Sequence, residues 1–207
     1  YLPCNAIDTA TIAEHRCWED AALSVHLERA MTTTGQRSLR FPCPWEDTAT
    51  MGAEAALSLI RANPRIDLSA LRFLAVGTET AVDHAKPASA YIQGMLRQAG
   101  QPLPGSLSSF QVQHACAGGT LALLSVGALL LQGGSGREAG IVICSDVARY
   151  EARSTAEITQ GAGAAALLVE RSPRLLELDL ATAGFYSNDV DDFFRPPPSS
   201  SLFPRSR

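Results

Sequence analysis

The sequence of 207 residues has no lysine- or arginine-rich block, and its formal net charge is −4. A nucleic-acid-binding face needs a dense basic patch, so nucleic acid is not an expected partner. Long apolar runs are also missing. The longest, residues 121–131, is interrupted by Ser125 and Gly127, whereas a bilayer-spanning helix needs about 20 apolar residues. The reading is therefore of a chain without a membrane. No basic-plus-apolar signal pattern opens the sequence, so secretion is not expected. Cysteine spacing excludes little but suggests much: Cys4, Cys17, Cys43, Cys116 and Cys144 are an odd number, and no two have CxxC spacing. That argues against a zinc site or a disulfide framework and fits thiols kept reduced in the cytoplasm. His15, His26, His84 and His114 form no HxxxH pair. His15 and His26 read as surface helix residues. There is no internal repeat, and no Walker or Rossmann fingerprint.

What is present is a core. At 46% hydrophobic residues and this length, the chain can form one domain or slightly more. Asp8 or Thr9 opens a helix running to about Cys17, and Asp47 caps another over residues 48–61. Residues 32–47 are turn-rich. Residues 72–77 are a short apolar run suited to a buried strand. Residues 85–99 read as a helix, and residues 108–114 alternate like a strand. Residues 121–131 are apolar on nearly every face, the mark of a buried helix. Residues 139–144, 162–169 and 175–180 read as further strands, and 197–207 as a disordered tail. Strands that are apolar on both faces and alternate with helices predict an α/β layered fold, with a mixed β-sheet covered by helices.

Cys116 lies in His114-Ala115-Cys116-Ala117-Gly118-Gly119-Thr120, where the alternating strand meets the apolar helix. A thiol at a helix N-terminus meets the positive end of the macrodipole and unpaired N–H groups, which favour thiolate. The same N–H groups can hold an oxyanion. A buried structural thiol is the other reading. Glu79, in Thr78-Glu79-Thr80, follows an apolar strand, the position where α/β sheets place functional groups. In an apolar setting it can act as a general base; otherwise it is a solvated loop residue. Asp146 follows the strand at Cys144 in the same way. Asp189, Asp191 and Asp192 read either as a metal site or as an acidic turn, and the following Phe193-Phe194-Arg195-Pro196 argues for the turn. Three strands thus end in Cys116, Glu79 and Asp146. If they share a sheet, a nucleophile and a base converge, which points to acyl transfer through a thioester.

Five motifs in order resemble the 3-hydroxy-3-methylglutaryl-CoA synthase family of the thiolase-like superfamily. They are Val76-Gly77-Thr78-Glu79-Thr80-Ala81-Val82-Asp83, Ala115-Cys116-Ala117-Gly118-Gly119-Thr120, Ser145-Asp146-Val147-Ala148-Arg149-Tyr150, Thr159-Gln160-Gly161-Ala162-Gly163-Ala164 and Asp192-Phe193-Phe194-Arg195-Pro196. The resemblance covers residues 1–196 and only the first half of the family's duplicated architecture. It implies that Cys116 takes an acetyl group from acetyl-CoA and that Glu79 then removes a methyl proton. The resulting carbanion attacks acetoacetyl-CoA or a β-ketoacyl group on an acyl carrier protein, and water releases the product. It further implies that Asp146 and Asp192 organise the site, that Tyr150 lines the acyl pocket, and that the turn at Gly161 supports binding. No metal or redox cofactor is implied; coenzyme A thioesters are substrates. The family's catalytic histidine belongs to the second half, and family members are dimers, so the resemblance implies a missing C-terminal half or a homodimer as partner. A half-length acyl-thioester-binding or partner-subunit protein without turnover is the alternative. A ketoacyl-ACP synthase III-like enzyme is another, against which Glu79 speaks.

Overall fold

The computed structural model describes residues 1–132, 134–172 and 174–189. The tail at 197–207 and Asp192 lie outside them. In chain order the elements are β1 (Asn5–Asp8), α1 (Thr9–Glu19), α2 (Ser24–Thr34), β2 (Ser38–Phe41), α3 (Thr48–Ala62), β3 (Leu71–Thr78), α4 (Ala88–Gln98), β4 (Ser108–Gln113), α5 (Gly118–Gln132), β5 (Ala139–Ala148) and β6 (Gly161–Glu170). They cluster in two compact units.

The first unit comprises Tyr1–Leu2, Pro44–Asp146 and Gly163–Ala183. Its sheet has the order β4-β3-β5-β6, and β3 pairs in parallel with both β4 and β5. Side chains alternate across a strand, and here both faces are apolar. Leu74 and Val76 of β3, with Ile141 and Ile143 of β5, pack under α3 and α4 with Leu57, Ile60, Ile92 and Leu96. Ala75 and Val142 face the other way, onto Ala122, Val126 and Leu130 of α5. This is the covered α/β layering expected from the apolar strands. Each large side chain fully buried in it contributes about 1.5–3 kcal/mol. Tyr1 joins the unit by pairing its amino group and carbonyl with the backbone of Ala164, at 2.7 and 3.0 Å.

The helix boundaries follow local chemistry. Asp47 accepts from Thr50 N while Thr50 Oγ1 accepts from Asp47 N, a capping box opening the alanine-rich α3. The expected helix at residues 85–99 begins later, at Ala88. Asp83 takes the N–H groups of Ala85 and Lys86 into its own turn, and Pro87 sets the extended N-cap. Gln111 on β4 accepts from Ala88 N in place of a capping side chain, at 2.8 Å.

The second unit comprises Pro3–Cys43, Val147–Ala162 and residues from Gly184. There β1 and β2 pair antiparallel, Asn5 opposite Phe41. Ala13, Leu27 and Ile158 form its small core. Glu157 is 5% exposed and accepts from Arg16 Nη2 at 2.9 Å and from Arg153 N at 2.8 Å. That pairing raises the Arg16 guanidinium pKa above its ordinary value. The turn-rich stretch 32–47 therefore contains a strand and the end of a helix.

Three other expectations are corrected. Residues 175–180 form no strand: Leu175 is 96% exposed, and the segment runs without regular structure to a 3-10 turn, Leu180–Thr182. A strand needs a ladder partner for its backbone groups, and an apolar sequence alone supplies none. The strand read as ending at Cys144 continues to Ala148. Residues 121–131 are not buried on nearly every face. Only Gly118, Ala122, Val126 and Leu130 of α5 are buried, one i, i+4 stripe, and Leu131 is 60% exposed. The helical stretch Ala115–Gln132, with mean hydropathy 1.7, is also long and apolar enough by length and composition to cross a membrane. Here its buried stripe packs on β3.

Candidate active site

Because β4, β3 and β5 are parallel neighbours, their C-terminal ends lie at one edge of the sheet. Thr78 pairs with Gln113, and Gly77 with Cys144. The turn that carries Cys116, residue Glu79 and residue Asp146 therefore follow at adjacent positions of that edge. Chain order scatters them over 68 positions; parallel pairing gathers them.

Three glycines make the approach close. A Cβ on Gly77 would overlap the nitrogen of Gly119, and one on Gly118 would sit 2.8 Å from the carbonyl oxygen of Val112. A Cβ on Gly119 would overlap the sulfur of Cys144. The start of α5 is thus seated directly on β3, β4 and β5, at a distance only side-chain-free residues permit. Cys116 itself is exposed. It stands in the 3-10 turn Ala115–Ala117 just before α5, closed by Ala117 N donating to His114 O at 2.9 Å. Ala115 has φ 38°, a left-handed conformation that costs a residue with a Cβ about 1 kcal/mol or more. The strain turns the chain sharply between β4 and α5, with the thiol at the bend.

Asp146 holds the neighbouring loop. Its Oδ1 accepts from Thr78 Oγ1 (2.7 Å), Glu79 N (2.8 Å), Thr80 Oγ1 (2.9 Å) and Thr80 N (3.2 Å). The loop is braced again from α3. Thr48 Oγ1 donates to Thr80 O at 2.7 Å, and Ser145 Oγ donates to Thr48 O at 2.7 Å. Thr78, Thr48 and Ser145 are each at most 1% exposed. Glu79 is half-buried, and its Oε2 is screened from solvent. The backbone on which Glu79 rides is therefore fixed by hydrogen bonds to an anionic acceptor, each of order 1.5–3 kcal/mol.

The sequence reading missed Thr48, Thr78, Thr80 and Ser145 as builders of this loop. A signal was present: threonines flank Glu79, and Ser145 precedes Asp146. It also missed Cys144 as a second thiol beside the helix start. Burial and the nearby Asp146 carboxylate raise the Cys144 pKa above its ordinary 9.0, so it is a poor nucleophile at neutral pH. Beyond Glu79, Asp83 accepts from the Tyr91 hydroxyl at 3.1 Å, and the Lys86 ammonium lies 3.9 Å over the Tyr91 ring. The two N–H groups and the hydroxyl donated to Asp83 hold its carboxyl below the usual range.

The other candidates lie elsewhere. Tyr150 is half-buried in the segment after β5, and Gly161 opens β6; both belong to the second unit. At Gly161 the carbonyl oxygen of Arg40 is 3.7 Å from where a Cβ would stand. Asp192, with Asp191, is outside the described residues, so that acidic turn has no structural account. Among the described residues, no cluster of three or more His, Cys, Asp or Glu is placed to hold a metal ion.

A family described as "Hydroxymethylglutaryl-coenzyme A synthase N terminal" matches residues 1–173. Hydroxymethylglutaryl-CoA synthase of Haloferax volcanii is 36% identical over 162 residues, 78% of this chain and 36% of its own length. The polyketide biosynthesis 3-hydroxy-3-methylglutaryl-ACP synthase PksG of Bacillus subtilis is 33% identical over 168 residues, 76% of this chain and 39% of its own. Among solved structures, MvaS in complex with 3-hydroxy-3-methylglutaryl coenzyme A superposes with TM-score 0.83 at 35% identity, covering 99% of this chain and 46% of that one. The curacin-pathway HMG synthase in complex with holo donor-ACP superposes with TM-score 0.80 at 26% identity, over 96% of this chain and 46% of that one. The chain thus spans between about a third and a half of the length of the relatives it matches.

Proposed function

From the premise that this chain belongs to the hydroxymethylglutaryl-CoA synthase family, we propose that it carries the acyl-accepting half of a carbon–carbon bond-forming acyltransferase. The observation that carries the reading is the shared sheet edge. Parallel β4, β3 and β5 gather the Cys116 turn and Glu79 beside Asp146, whose carboxylate fastens the Glu79 loop.

In this reading Cys116 Sγ attacks the carbonyl carbon of an acetyl thioester. The new C–S bond forms as the bond to the donor thiol breaks, and the Cys116 proton leaves with that thiol. Backbone N–H groups at the start of α5 offer a place for the transient oxyanion. Glu79 takes a proton from the acetyl methyl, and the carbanion adds to the ketone carbon of a β-ketoacyl acceptor. Water then cleaves the thioester and frees Cys116. Asp146 acts through the loop it holds, keeping Glu79 in register with the thiol. Tyr150, Gly161 and Asp192 are proposed as supporting residues on the resemblance alone. Coenzyme A thioesters or acyl groups on a carrier protein are the proposed substrates, and no cofactor is invoked. The group that polarises the acceptor ketone comes from a second half of the family's architecture. The uncovered apolar faces of α5 support an added half or a second copy of the chain, and a reduced cytoplasmic setting suits the catalytic thiol.

Intact-mass spectrometry after incubation with acetyl-CoA tests this. The expected result is one acetyl adduct, lost in Cys116→Ala. In Glu79→Gln the adduct persists, but exchange of its methyl protons with deuterated solvent falls by about 100-fold or more. An adduct of equal yield in Cys116→Ala overturns the assignment. No adduct on the wild type favours a second reading, motivated by the half-length match: a chain that binds acyl thioesters or a partner subunit without turnover.

A further inference from the structure

We propose that Cys4 and Cys43 form a reversible disulfide that staples the segment Pro3–Cys43 at its two ends. Their sulfurs lie 3.8 Å apart, in van der Waals contact, although 39 positions separate them in sequence. The antiparallel ladder explains why. Asn5 stands opposite Phe41, so Cys4, one residue outward, and Cys43, two residues outward past Pro42, lie diagonally across the same end of the strand pair.

Three hydrogen bonds from two side chains hold this end together. Asn5 Nδ2 donates to Cys43 Sγ at 3.3 Å. Arg40 Nη1 donates to the carbonyl oxygens of Pro3 and Cys4, at 3.2 and 3.3 Å. The backbone on either side of Cys4 is thereby fixed against β2. Closing the bond asks the sulfurs to move from 3.8 Å to about 2.05 Å. Cys4 is exposed and Cys43 half-buried. An external oxidant therefore reaches Cys4 first, and Cys43 is in place to resolve the intermediate.

The chemistry is thiol–disulfide exchange with a low-molecular-weight disulfide such as oxidised glutathione. The Cys4 thiol loses its proton to solvent and attacks one sulfur of the oxidant. A mixed disulfide forms, and one glutathione leaves as its thiol. Cys43, deprotonated in turn, attacks the Cys4 sulfur and expels the second glutathione. Two electrons and two hydrogens pass from the protein to the oxidant, and excess reduced glutathione reverses both steps. The bond closes a long loop holding β1, α1, α2 and β2, so it restricts the unfolded chain and stabilises the unit.

The test uses the full chain bearing Cys116→Ala, which removes the acylatable thiol. After equilibration with oxidised glutathione under native conditions, unreacted thiols are alkylated and peptides mapped without reduction. The expected product is a Cys4–Cys43 linked peptide, lighter than the two separate peptides by two hydrogens. Unfolding should move to higher temperature on oxidation and return on reduction. In Cys4→Ser and Cys43→Ser the link and the thermal shift both disappear. The proposal is overturned if Cys4 and Cys43 alkylate as fully after oxidation as before. It is overturned equally if Cys4 links to Cys17 or Cys144, or only to another copy of the chain. Mapping of the Cys116→Ala parent decides even if a serine variant fails to fold.

Discussion

Helices α3 and α5 have equal length, 15 residues each, and pack on opposite faces of the same strands, yet they are built for different surroundings. α3 buries nine residues and leaves Glu54, Ser58 and Arg61 to solvent. α5 has no charged residue, buries only four, and leaves Leu129 and Leu131 at 39% and 60% exposure. Their beginnings differ too. A side-chain box closes α3, whereas α5 is seated through glycines and preceded by a strained turn that carries a thiol. α3 is an outer helix with a solvent face. α5 keeps apolar side chains in solvent beyond its one buried stripe.

The largest expected effect is at the α5 seat. Gly77→Val places side-chain atoms where the Gly119 backbone stands, so loss of cooperative thermal unfolding is expected. Gly94→Ala on α4 meets nothing within 4 Å and should leave stability unchanged or raise it by up to about 1 kcal/mol. Equal melting temperatures for Gly77→Val and wild type would refute the close seating. Next comes a direct comparison of the two helices. Met51→Ala on α3 empties a fully buried site and should cost about 2–5 kcal/mol in denaturant unfolding. Leu131→Ala on α5 should cost less than about 0.5 kcal/mol, unless a second half or copy covers that face, in which case its cost rises only in the assembled protein. Asp47→Ala removes the α3 capping box and should lose about 1 kcal/mol; no loss would mean that the cap is redundant with packing.

The smallest effect concerns the turn between α5 and β5. N–H groups of Ser135 and Gly136 donated to Glu138 lower its pKa from 4.5 to about 2. A depressed carboxylate stabilises the fold above the unfolded value and ceases to do so as pH falls through the folded value. The stability gap between wild type and Glu138→Gln should therefore be present at neutral pH and shrink between about pH 4.5 and about 2. A gap independent of pH, followed by denaturant melts, would remove the carboxylate from the account.

The layering was readable because β3 and β5 are apolar on both faces, which has no other stable outcome in an α/β chain. Asp47 was readable as a cap because capping depends on four consecutive residues. Cys116 and Glu79 were readable as site candidates from their places at strand ends and from the ordered motifs. The threonine and serine braces around Asp146 were not, because they come from three elements that only the sheet brings together. Residues 175–180 misled for the converse reason: their apolar pattern suits a strand, but no described neighbour pairs with them.

The sequence by itself determined the helices α3 and α5, the strands β3 to β6, where α3 begins, and which residues have the chemistry for acyl transfer, since these depend on periodicity, caps and residue type within short windows. Only the tertiary structure decided that β3 runs parallel between β4 and β5 and that Asp146 grips the Glu79 loop. It also decided that Cys4 touches Cys43, and that α5 is covered on a single stripe. Those facts depend on which distant segments become neighbours, and that is settled by burial and backbone pairing over the whole fold rather than by any local pattern.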